Sequence, residues 1–266
     1  MTTDIPDADR TAWEKAGVRL DLDGELATVT LCDPGRRNAQ TPAMWRALAA
    51  VGRALPGSVR VVLLRGEGSS FSAGLDRAMF TPEGIPGETG FLQLAASTDA
   101  ELDAAISSYQ DAFTWWRRND LVTVAAVQGH AVGAGFQLAL ACDLRVVAED
   151  VQFAMKETSL GLVPDLGGTK PLTELVGYAR ALEICATGRR VGAAEAVATG
   201  LANLAVPAAD LEAAAADLAA ALLAAPRGAV IETKALLRGA AGRDYDRQRA
   251  AEREAQARRL RELAGR

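Results

Sequence analysis

The run Leu121–Val147, LVTVAAVQGHAVGAGFQLALACDLRVV, decides the fold class. Its first seven residues are almost wholly apolar and rich in valine, the composition of a strand buried on both faces. Gly129, Gly133 and Gly135 then break the chain, an apolar helix follows to about Cys142, and Leu144–Val147 reads as a short strand. Strand, glycine turn, helix and strand in that order make a unit of α/β type.

The same alternation extends upstream. Val59–Arg65 (VRVVLLR) is a second buried strand, followed by the glycine-rich GEGSSFSAGLD. Val18, Leu20 and Leu22 alternate with polar residues, as do the positions around Leu26, Thr28 and Thr30 after Asp23-Gly24, so a β-hairpin is expected there, closed by Asp33-Pro34-Gly35. Thr41 caps a helix with Pro42 at its first position and Met44, Leu48 and Val51 on one face. Residues 1–15 show no periodicity and read as a mobile lead-in. Thr81–Thr98 reads as a surface loop, and residues 99–117 as a helix. Beyond Gly167 the pattern is almost wholly helical, broken at Gly188, Gly200, Pro207, Pro226 and Gly239. The last piece, Asp244–Leu263, mixes Arg and Glu with Ala and suits a solvated or subunit-contacting helix.

Composition narrows the function classes. The 266 residues, 49% hydrophobic and 24% charged, fit one large domain, or one with a small appendage, and exclude a disordered or collagen-like chain. A net charge of −5 argues against binding nucleic acid through its phosphates. No run of 18 apolar residues occurs, so no membrane partner is expected. Three widely spaced cysteines and one histidine offer neither a disulfide framework nor a zinc site, so no metal is expected and a cytoplasmic location is.

Several chemistries then fail on spacing. Neither Gly133-Ala134-Gly135 nor Gly66-Glu67-Gly68 completes GxGxxG, and there is no GxxxxGK[ST] phosphate loop or GxSxG elbow. His130, in a glycine turn, reads as a packed or hydrogen-bonded imidazole rather than a catalytic one. Two turns survive: Phe71–Asp76 and Gly133–Gln137. Backbone N–H groups at a helix start are unpaired and carry the positive end of its dipole, so two converging on one point can hold an oxyanion. The glycines also fit plain tight turns, and both readings stand at this point.

These residues carry a family resemblance. FSAGLD (71–76), QGHAVGAGFQLALACDLRVV (128–147) and FAMKETSLGLVPDLGGT (153–169), in that order and preceded by DPGRRNAQT (33–41), resemble the signature stretches of the crotonase (enoyl-CoA hydratase/isomerase) superfamily. The likeness runs from about Val18 to about Pro226. It implies a crotonase-like spiral of ββα units with a helical C-terminal region, divided as a lead-in (1–15), a spiral core (16–200) and an oligomerisation region (201–266). It also implies acyl-CoA thioester substrates, no cofactor beyond the coenzyme A of the substrate, and a homotrimer or dimer of trimers. By motif position the oxyanion hole falls on the N–H groups of Leu75 and Ala134, and the substrate-binding residues on Arg37, Ala39, Ala73, Gly74, Asp76 and Gly133. Arg37 is placed at the nucleotide end of coenzyme A, or is a solvated arginine.

The resemblance also assigns the acid–base groups. Family hydratases use two glutamates, at positions that correspond here to Gln137 and Glu157. An amide can hold a water but cannot accept a proton at neutral pH, which weakens two-carboxylate water addition. Asp165 falls where some superfamily isomerases place a catalytic aspartate; its alternative role is a helix cap. Glu157, Asp165 and Gln137 are therefore the candidate catalytic residues. Double-bond isomerisation of an enoyl-CoA, with Glu157 as acid/base, ranks ahead of hydration of a 2-enoyl-CoA and of a non-catalytic acyl-CoA binder.

Overall fold

The computed structural model describes residues 5–265. The strands are β1 (Val18–Asp23), β2 (Leu26–Leu31), β3 (Val61–Gly66), β4 (Val122–Val127), β5 (His130–Val132), β6 (Leu144–Ala148), β7 (Gln152–Ala154), β8 (Arg190–Gly192) and β9 (Leu204–Val206). The helices are α1 (Asp7–Lys15), α2 (Pro42–Ala54), α3 (Phe91–Ala95), α4 (Asp99–Thr114), α5 (Ala134–Ala141) and α6 (Thr169–Val176), then α7 (Tyr178–Thr187), α8 (Ala193–Ala198), α9 (Leu211–Ala224), α10 (Arg227–Ala240) and α11 (Tyr245–Leu263). One sheet runs β1-β2-β3-β4-β6-β9 and a smaller one β5-β7-β8. This is the mixed α/β architecture expected of the sequence.

The hairpin forms because Val18 and Leu20 face the core while Asp21 and Asp23 face water. Its loop is Gly24-Glu25, since Asp23 still pairs with Leu26, and Gly24 takes the positive φ of 58° that the turn requires. From β2 onward the large sheet is parallel. All six residues of β4 are buried, which explains its unbroken apolar run. The Thr41 hydroxyl accepts from Met44 N–H at 3.2 Å and caps α2, a contact worth about 1 kcal/mol. Trp45 of α2 packs on Tyr109 and Phe113 of α4, with ring centroids 4.9 and 6.1 Å apart.

All eight residues of α5 are buried, and Gln137 is its one polar side chain. Its C-terminal end is closed by Arg145, whose guanidinium donates to Ala139 O, Cys142 O and Leu201 O. On the other face of the sheet, Leu211 and Ala215 of α9 pack against Val124, Ala126, Val146 and Ala148. The buried Lys234 ties α10 to this layer through Asp143, at 2.6 Å, and Leu121 O, at 2.8 Å. No single helix among the described residues is long and apolar enough to cross a membrane.

Three expectations are corrected. Asp7–Lys15 of the supposed mobile lead-in is helical, with Trp13 buried and Arg10 donating to Leu20 O of β1; residues 1–4 of that lead-in lie outside the described residues. The stretch after Gly167 is mostly helical, as read, but the two short strands β8 and β9 within it depart from that reading, and β9 places residues 204–206 inside the large sheet. Strands of three residues are too short to display a period of two. The loop at 81–98 carries the short helix α3, with Phe80 against Phe91, centroids 4.7 Å apart, and Glu88 bound to Arg46.

Candidate active site

The two glycine turns touch. Ser72 N–H donates to His130 O at 2.9 Å and Val132 N–H to Ser72 O at 3.0 Å, which lays the first turn along β5. Gly74 has φ 85°, and a Cβ on it would meet Val132 O at 2.3 Å and Ala134 N at 3.6 Å, so the backbones come together only because this residue is glycine. Gly135 is equally confined, since its Cβ would lie 2.7 Å from Ser72 O.

The same contacts orient the two amides. Gln40 N–H donates to Gly74 O and Gln40 O accepts from Asp76 N–H. Bonds on both sides of Leu75 from one neighbour turn its own N–H away from that neighbour. Ala134 opens α5 after Gly133, whose φ 51° and ψ −118° only glycine adopts readily. Neither the Leu75 nor the Ala134 N–H donates to any acceptor among the described residues. An unpaired pair of donors at a helix N-terminus is a site for developing negative charge.

Glu157 stands beside this corner. A Cβ on Gly133 would lie 3.4 Å from Glu157 Oε1 and 3.8 Å from Oε2. Oε1 accepts from Gln137 Nε2 at 2.6 Å, whereas Oε2 is buried and has no hydrogen-bond partner. Burial pushes the Glu157 carboxyl above the usual range; hydrogen bonds from its own backbone and from Gln137 pull it back in part, and the Asp165 carboxylate raises it further. A buried, half-partnered carboxyl of raised pKa beside oxyanion donors is equipped to move a proton.

Gln137 is fixed by protein partners on both sides of its amide. Its Oε1 accepts from Leu166 N–H at 2.9 Å and Gly168 N–H at 3.3 Å, while its Nε2 holds Glu157. A Cβ on Gly168 would meet Gln137 Cγ at 2.7 Å, so that glycine makes room for the amide.

Asp165 does not cap a helix. α6 begins at Thr169 after Gly168, and the Asp165 carboxylate accepts no hydrogen bond from another residue among those described. It is half-buried, and burial lifts its pKa. Its carbonyl oxygen accepts from Gln110 Nε2 at 2.6 Å. Along the chain between Glu157 and Asp165, Leu160, Leu162 and Val163 are exposed apolar side chains.

The remaining candidates divide. Ala73, Gly74 and Gly133 form the facing turns. The Asp76 carboxylate is turned toward Arg36, at 2.5 Å, and toward Ala78 N–H, at 2.9 Å, so it braces the loop. Arg37 is exposed with φ 53°, its carbonyl held by Ala73 N–H, and Ala39 is half-buried next to it. His130 is half-buried and lies 3.3 Å from Ser70 Oγ, a packed imidazole. No group of three metal-ligating side chains occurs among the described residues.

Sequence reasoning missed the braces. Asn38, buried with φ 52°, donates to Glu67 O, Ser70 O and Phe71 O, and Ser72 Oγ donates to Asn38 O while accepting from Gly74 N–H. Gln40 accepts from Trp45 Nε1 and donates to Ser72 Oγ. Asn38 and Gln40 lie inside DPGRRNAQT, so the motif flagged the segment but not their part; nothing in the sequence marks Gln110.

Known proteins resemble this chain over most of its length. The family model described as Enoyl-CoA hydratase/isomerase matches residues 21–263. A Rhodobacter capsulatus protein named "Probable enoyl-CoA hydratase" is 35% identical over 195 residues, covering 73% of this chain and 70% of the relative. A Thermobifida fusca YX protein crystallised with acetoacetyl-CoA superposes with a TM-score of 0.92 at 49% identity, over 95% of this chain and 98% of that one. The structure from the same organism with CoA bound gives 0.92 at 48% identity over the full length of both chains. With the two facing glycine turns and the buried glutamate in place, the chain belongs to the enoyl-CoA hydratase/isomerase family, whose fold it has.

Proposed function

We propose that the protein moves the double bond of an enoyl-CoA thioester, from the 3,4 to the 2,3 position. The observation that carries this reading is the hydrogen-bond set of Gln137, which occupies the place of a second carboxylate and has its acceptor taken by Leu166 and Gly168. Water addition by two carboxylates lacks one of them here. Isomerisation needs only proton transfers and a held enolate.

In this reading the thioester oxygen lies between the N–H groups of Leu75 and Ala134. Glu157 Oε2 takes a proton from carbon 2, and the electron pair moves onto the thioester oxygen as a dienolate. Carbon 4 then receives a proton, leaving the 2,3 double bond. The protonated form of Asp165, which burial favours, supplies that proton, and both carboxyls exchange with solvent before the next turnover. One oxyanion donor lowers the barrier by about 3 kcal/mol and a placed acid or base adds roughly a hundred- to ten-thousand-fold. Coenzyme A enters as part of the substrate, with Arg37 toward its phosphates. The bound CoA thioester of the Thermobifida neighbour supports this choice of ligand.

Hydration of a 2-enoyl-CoA is the second reading, favoured by the name of the Rhodobacter relative. Two readouts separate them: the ultraviolet absorbance of the conjugated 2-enoyl thioester reports isomerisation of a 3-enoyl-CoA, and mass spectrometry reports hydration, which adds one water. The first reading predicts the isomer at high rate and little adduct from 2-enoyl-CoA; a brisk adduct with 3-enoyl-CoA untouched overturns it. No conversion of either would make the protein a binder.

A cytoplasmic trimer or dimer of trimers belongs to the same reading. The exposed side chains of α10 and α11, Leu237, Tyr245, Leu260 and Leu263 among them, support it as subunit contacts. Light scattering at micromolar concentration is expected to give three or six chains; a monomer would contradict it.

A further inference from the structure

Asp165 lies in a turn whose shape is set by two glutamines on different helices. Gln137 of α5 binds the N–H groups of Leu166 and Gly168 from one side. Gln110 of α4 binds the carbonyl of Asp165 from the other, at 2.6 Å. No other group among the described residues donates to that carbonyl, and nothing donates to the Asp165 carboxylate from another residue. No hydrogen bond from another residue among those described aims the side chain, so the position of its backbone matters the more. Gly167, at φ 85°, lets the turn close behind it.

We infer that Gln110 is a positioning residue for the second proton transfer: its amide fixes the peptide that presents the Asp165 carboxyl to carbon 4. The inference rests on the proposed isomerase reading, in which Asp165 delivers a proton. Gln110 makes no hydrogen bond to Glu157, but the peptide it holds also donates Leu166 N–H to Gln137, so a route through Glu157 must be separated from the route through Asp165. A misplacement of about 1 Å costs up to a hundredfold in rate, and a lost hydrogen bond lets the peptide move by that much.

The test is a double-mutant cycle of Gln110→Met and Asp165→Asn on turnover of a 3-enoyl-CoA. Gln110→Ala serves as a second truncation that keeps α4 helical. Gln110→Met is expected to lower kcat roughly tenfold or more, with KM within about twofold and the melting temperature little changed, and to add nothing in the Asp165→Asn background. Wild-type kcat in both Gln110 variants, with Asp165→Asn impaired, would overturn the positioning role and leave the isomerase reading standing. An equal loss from Gln110→Met with or without Asp165→Asn would also overturn it, as a general packing effect. Full activity in Asp165→Asn would overturn the inference together with the part of the reading that uses Asp165.

Discussion

Gln137 Nε2 donates to Glu157 Oε1 at 2.6 Å, and this bond separates the two oxygens of the glutamate into a held one and a free one. The held oxygen fixes the carboxyl beside Gly133; the free one, buried and unpartnered, is the one available to a substrate. An unpaired buried acceptor is costly. It persists here because the amide and the Leu166–Gly168 turn leave it no alternative.

Gln137→Glu changes this in a defined way. The new carboxylate can still accept from Leu166 and Gly168, but it cannot donate to Glu157, and it adds a like charge. The acidic limb of the isomerisation pH profile is expected to move to higher pH, because the ionised form of Glu157 loses a donor and gains a repulsion. Hydration of 2-enoyl-CoA is expected to rise by at least tenfold. Unchanged profiles for both reactions would contradict the assignment of this pair.

The carboxyls of Glu157 and Asp165 are both raised by burial from 4.5 and 3.8, so each stabilises the fold below those values and loses that contribution as pH climbs through its folded pKa. Once ionised, each group therefore costs stability. Glu157→Gln and Asp165→Asn are each expected to raise the melting temperature at pH 7, and to do so less near pH 4. A gain of about 1 kcal/mol corresponds to roughly 2–4 °C in a chain of this size. Equal shifts at both pH values, or a loss at pH 7, would show that the carboxyls are not strained by burial.

Ala134→Pro removes one oxyanion donor at the first position of α5, where proline is compatible with a helix. Turnover is expected to fall by about a hundred- to a thousandfold, with the far-ultraviolet circular dichroism spectrum retained. Normal turnover in the folded variant would remove Ala134 from the oxyanion hole.

Much of this site was legible as a pattern and little of it as a network. LVTVAAV and VRVVLLR announce buried parallel strands, and GxG spacing marks the turn into α5, because those features are local in the chain. The contact of Gly74 with Val132, by contrast, joins two distant turns. The roles of Asn38, Gln40 and Gln110 depend on which carbonyl happens to lie opposite, and no spacing encodes that. Asp165 shows the limit well: Pro-Asp-Leu-Gly-Gly suits a cap as well as a proton donor. Only the start of α6 at Thr169 frees the carboxylate from the capping role.

The most direct measurement is the single-turnover rate of Glu157→Gln on a 3-enoyl-CoA, taken together with its affinity for that thioester. Glutamine keeps the volume and the acceptor for Gln137 but cannot take a proton. The account predicts a loss of about a thousandfold or more in the rate with Kd within a few-fold of wild type. A rate within tenfold of wild type at unchanged Kd would show that Glu157 is not the base.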